Sequence, residues 1–112
     1  MVVFPNNLPV PVEHLMSQAL KATSIIIWPC HVTSETMKIL CSQKRQALIS
    51  YFTLCDIDNS LDHHLLFQFV LKEIPPNNFE WIGFKFNNKD IDNQFQLNFR
   101  NFLKANGYIN SV

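Results

Sequence analysis

Glycine is nearly absent from this chain: its 112 residues hold two, Gly83 and Gly107. A phosphate-cradling P-loop and a dinucleotide fingerprint both need clustered glycines for close backbone approach, so nucleotide binding in those modes is excluded. Charge is scarce too, at 16% of residues, where about 25% is usual for soluble domains. Nine acidic side chains balance nine basic ones, so no global field steers the chain toward nucleic acid, an anionic membrane or a strongly basic ligand. The longest apolar run, Ile25 to Trp28, is far too short to cross a membrane, and the N-terminal segment lacks the basic start and apolar stretch of a secretory signal. Three cysteines at 30, 41 and 55, with no C-x-x-C, cannot pair completely. Reduced thiols in a reducing, cytoplasmic compartment are the expectation.

What the chain has in quantity is aromatic and amide side chains. Ten Phe stand beside polar runs such as Asn77-Asn78, Asn87-Asn88 and Asn93-Gln94. Much apolar area with few charges to cover it suggests that a partner buries some of it.

The length indicates one domain spanning 1–112. Residues 1–10 read as an irregular N-terminal segment carrying an edge strand at Val2-Val3-Phe4, interrupted by Pro5 and Pro9. Val12, Leu15, Met16, Ala19 and Leu20 recur at helical spacing behind Pro11, which predicts a helix over 11–22. Ser24 to Trp28 reads as a strand buried on both faces. A second helix, capped by Thr33 or Ser34, is expected to carry Met37, Leu40, Cys41, Leu48, Tyr51, Phe52 and Cys55 on one broad face and to stop at Asp56 to Ser60. Beyond it, Leu65 to Leu71 alternates like a strand, although Asp58 to Ser60 would equally cap a helix running to Ile74. Phe79 to Phe86 is aromatic-rich and predicts a strand. Gln94 to Arg100 alternates strictly, with Phe95, Leu97 and Phe99 on one side, and predicts another. A short terminal helix over Asn101 to Asn106 would end at Gly107. The expected fold is therefore α+β: a (β)αβα unit, a three-stranded antiparallel meander and a short C-terminal helix, without internal repeats.

Several residues invite chemistry. Cys30 beside His31, just before a helix start, resembles a nucleophile with a lowered pKa; adjacent residues diverge, however, and free Cys is commonly buried, so packing is the expected role. Asp56-Ile57-Asp58-Asn59-Ser60 begins like a calcium loop, but Leu61 and Phe67 stand where Gly and a bidentate Glu are needed. His63-His64, next to Asp62, lacks the i, i+4 spacing that brings two ligands to one metal. Trp81-Ile82-Gly83-Phe84-Lys85-Phe86 contains a G-F-x-F fragment that resembles part of the RNP1 pattern of RNA-binding RRM domains, without its leading Lys or Arg.

No metal and no cofactor are expected. The function that this pattern favours is a protein–protein interaction module, such as an adaptor, a chaperone, an inhibitor or an immunity-type protein, which buries an apolar sheet or groove against a protein partner or a second copy of itself. Trp81, Phe84, Phe86, Gln94, Gln96, Asn98 and Arg100 are the expected contact residues, because they lie on strands whose polar face is Asn, Gln and Arg rather than Lys and Glu. The alternatives are a small cysteine-dependent enzyme using Cys30, and an RNA-binding module using Trp81 to Phe86.

Overall fold

Every strand of this protein pairs with its neighbour in sequence, and every pair is parallel. The computed structural model describes residues 1–5 and 10–109. In it β1 (Val2–Pro5), β2 (Ser24–Trp28), β3 (Tyr51–Ile57) and β4 (Trp81–Phe86) form one sheet in the order β1-β2-β3-β4. Helices α1 (Val12–Ser17), α2 (Thr36–Ser42) and α3 (His63–Glu73) make the three crossovers, and α4 (Lys89–Ala105) follows β4. Same-handed crossovers between strands laid down in order put every connecting helix on one face. The register shows that face: Val2, Ile25, Phe52 and Ile82 form one row, and Phe4, Ile27, Leu54 and Phe84 the next. Those on β2, β3 and β4 are buried, and the β1 pair is half-buried.

The molecule is a small domain of mixed helices and strands, as expected, but the antiparallel meander is not there. The edge strand at Val2 and the strand over 24–28 match; residues 6–9 of the expected irregular segment lie outside the described residues. Trp28 is 44% exposed, so β2 is buried on one face and not on both. The expected second helix breaks in two. α2 stops at Ser42, and Tyr51 to Cys55 belong to β3. Arg45 turns inward between them: its Nη2 donates to Ala22 O at 2.6 Å and its Nε lies 3.6 Å from Glu73 Oε2, with the Arg side chain 2% exposed. Apolar residues on both sides of β3 imitate a broad helical face, and parallel pairing with β2 and β4 decides between the two.

Leu65 to Leu71 lies within α3, whose N-cap Asp62 accepts from Leu65 N–H at 3.0 Å. Gln94 to Arg100 lies within α4, capped by Asn88, which accepts from Ile91 N–H at 3.0 Å. A helix there gathers Ile91, Phe95, Phe99 and Phe102 into one stripe. The rings of Phe95 and Phe99 meet Phe84 at 5.9 and 5.2 Å, and Phe67 of α3 stacks on Phe102 at 4.4 Å. A strand would have kept Leu97 with Phe95 and Phe99 and turned Phe102 to the opposite face. The expected terminal helix is the end of α4, and Gly107, at φ +81°, takes the left-handed conformation that stops it.

Tyr108 then anchors the chain end: its hydroxyl donates to Ile74 O at 2.7 Å and to Val70 O at 3.3 Å. Burial pushes this phenol from 10.0 up to about 12. The folded state thus holds the proton more tightly than the unfolded chain, and stability should be whole below pH 10 and fall as pH rises toward about 12. Denaturant midpoints across that range check this, and Tyr108→Phe should flatten the fall.

The assignment of α4 has its own test. Phe95→Ala should cost about 3–5 kcal/mol in urea unfolding followed by circular dichroism, while Leu97→Ala should stay within about 0.5 kcal/mol. Similar costs at the two positions would return them to one face of a strand.

Candidate binding face and its groove

Opposite the helices, the sheet is uncovered among the described residues. Its rows there are Ser24, Tyr51 and Trp81, then Val3, Ile26, Thr53 and Gly83, then Pro5 and Trp28, with Cys55 and Lys85 beyond. Lys85 is the one charged side chain among these strand positions. Trp81 is 52% exposed and Trp28 44%; they are the two tryptophans of the chain.

β4 would be an open edge were it not for α4. Asp92 Oδ1 accepts from Phe86 N–H at 2.9 Å, and Gln96 Nε2 donates to Phe84 O. These side chains satisfy outward-facing ladder groups that would otherwise template pairing with another strand. With α4 lying along the edge, its outer side rises beside the uncovered face and closes a groove of about 800 Å3. Thr53, Cys55, Trp81, Gly83 and Lys85 form its floor, and Gln96, Leu97, Arg100 and Leu103 form its wall. A Cβ at Gly83 would lie 2.9 Å from Trp81 Nε1, so the bare glycine is what lets the indole lie against the strand. Thr53 Oγ1, buried beneath that floor, has no hydrogen-bond partner among the described residues. Neither Lys85 nor Arg100 makes an ion pair among the described residues. Asp92, also at the groove, is already engaged, because its Oδ1 accepts from both Phe86 N–H and Gln96 Nε2.

Of the contact residues expected from sequence, the structure brings Trp81, Gln96 and Arg100 together here. Phe84 and Phe86 are each 3% exposed; Phe84 packs its ring on Phe95 and Phe99 and still borders the groove, whereas Phe86 does not line it. Gln94 and Asn98 are exposed on α4 and do not line the groove. The sequence reading missed Thr53, Cys55, Leu97 and Leu103, because it placed the first two on a helix and the third in a strand's apolar side. A lone glycine two residues after a tryptophan was the available signal.

The other candidates sit elsewhere. Cys30 is fully buried, its thiol donates to Ile27 O at 3.2 Å, and burial pushes its pKa up. That is an environment for packing, opposite to the exposed, electropositive surroundings of a nucleophilic thiol. His31 turns to Asp58, Nδ1 to Oδ2 at 2.9 Å, while Asp58 Oδ1 accepts from Val32 N–H at 3.0 Å. This pair ties the loops after β2 and β3, next to Asp56, whose φ of +54° lies in the left-handed region that Asp tolerates better than most. Asp58 is thereby occupied, and among the described residues no three His, Cys, Asp or Glu side chains gather to hold a metal. His63 packs edge-on to Phe95 at 5.0 Å, and His64 meets Gln68, so the two histidines diverge. No described helix is long and apolar enough to cross a membrane.

Comparison with protein-family models, with curated proteins and with solved structures finds no match for this chain.

The three thiols should separate in reactivity. Under native conditions iodoacetamide should label Cys55 and Cys41, which are half-buried, and spare Cys30 until the protein is denatured. Peptide mass mapping reads the order; native labelling of Cys30 ahead of the others would contradict its burial.

Proposed function

We propose that this protein is a protein-interaction module that docks a partner on the uncovered face of its sheet. One observation carries the reading. All-parallel sheets are almost always covered on both faces, and here one face has no cover among the described residues while displaying both tryptophans, Trp28 and Trp81, with Ile26 and Thr53 between them. A strand-and-helix unit repeated side by side, with helices behind and bare strands in front, is also the geometry by which solenoid proteins present an extended binding surface. Trp and Arg are the residue types that dominate binding energy when a partner desolvates them, and Trp81 and Arg100 share the groove on this face. α4 serves such a module twice, blocking sheet extension past β4 and walling the groove.

A displayed random-peptide library selected on the intact protein tests this reading. The enriched binders should weaken at least about tenfold with Trp28→Ala or Trp81→Ala. They should be indifferent to Leu71→Ala and Ile39→Ala, which are exposed on the helix side. Binders that ignore both tryptophans would remove the face from consideration.

A further inference from the structure

We infer that the groove between α4 and the uncovered sheet face takes an acidic peptide segment bearing an aromatic or large apolar side chain. This inference rests on the docking role proposed above and names the chemistry of the partner. The argument is one of charge and shape together. Lys85 on the floor and Arg100 on the wall are exposed cations without an ion-pair partner among the described residues, and they outnumber the one described acid that lines the groove, Asp92. Acidic side chains entering the groove find a donor at each cation, one of them a guanidinium able to bind a carboxylate through two parallel hydrogen bonds. The space beside these cations is apolar. The Trp81 indole lies against Gly83 and lines the groove together with Leu97, which is 64% exposed on α4. An aromatic side chain placed there stacks on the indole and covers Leu97. The volume, about 800 Å3, admits a few residues of an extended segment and not a folded element.

A single-stranded RNA fits these features less well. Two cations do not make the continuous positive track that a phosphate backbone follows. Phe84, the second ring such a strand would stack on, is in the core.

The experiment uses the full chain carrying Trp28→Phe, so that Trp81 is the sole tryptophan reporter. The probes are a capped octapeptide alternating Glu and Phe, its Lys–Phe counterpart, and an eight-nucleotide oligouridine. The Glu–Phe peptide should shift Trp81 emission saturably, and should bind about tenfold more weakly after Lys85→Glu or Arg100→Glu or on raising the salt. The double variant Lys85→Glu, Arg100→Glu, with its fold confirmed by circular dichroism, should prefer the Lys–Phe peptide. No saturation by about 1 mM, equal affinity for the two peptides, or tighter binding of oligouridine would overturn the inference. Failure here is separable from failure of the docking role. Library binders that need Trp28 and Trp81 but are uncharged and ignore Lys85 and Arg100 would leave the face as the docking surface and remove its acidic specificity.

Discussion

Parallel pairing in sequence order is the constraint on which the rest of this structure depends. Each connection must carry the chain back to the start of the sheet, and a crossover of fixed handedness sets each helix on the same side when strands are added one after another. The consequence is asymmetry. One face buries Ile25, Ile27, Phe52, Leu54, Ile82 and Phe84 beneath helices, and the other is left with Trp28, Trp81 and Val3 exposed and Ile26 half-buried. The unusual composition follows from the same cause. Most of the chain's phenylalanine is spent between sheet and helices, where the rings of Phe52, Phe69, Phe84, Phe95, Phe99 and Phe102 touch in series.

α4 is the element that turns a bare sheet into a site. Its inner stripe packs Phe95 and Phe99 on β4, while Asp92 and Gln96 hold the strand edge through side-chain hydrogen bonds. Its outer side is left with nothing to cover except the sheet face beside it, and Leu97 and Arg100 stand there. Tyr108 fixes the far end of this arrangement by bonding to carbonyls at the end of α3. Away from the groove, the buried Arg45–Glu73 pair links the segment after α2 to the end of α3. Burial lowers the guanidinium's pKa, and the nearby Glu73 carboxylate opposes that shift.

Legibility followed the type of signal. β2 was plain, because Ile25-Ile26-Ile27 is β-branched and ends against Pro29. β4 was plain in kind, because its aromatic density suits no helix. The burial of Cys30 was legible from residue type. Where two periods fitted the same residues, the outcome lay outside the segment. Phe95, Leu97 and Phe99 alternate, yet Phe95 and Phe99 are also one helical turn apart, and it is Phe84 and Phe67 waiting on one side that favour the helix. Tyr51, Phe52 and Cys55 satisfy a helical face just as well as a strand, until β2 and β4 flank them.

By itself the sequence determined that this is a small domain of helices and strands, without the glycine clusters of common nucleotide sites, with more aromatic area than its charges can cover. Only the tertiary structure decided that the sheet is parallel, that Phe84 and Phe86 face inward while Trp81 faces out, and that Lys85 and Arg100 share one groove. Periodicity along a chain states which residues lie on the same face; which neighbour that face meets depends on contacts between segments far apart in sequence, and these decide burial.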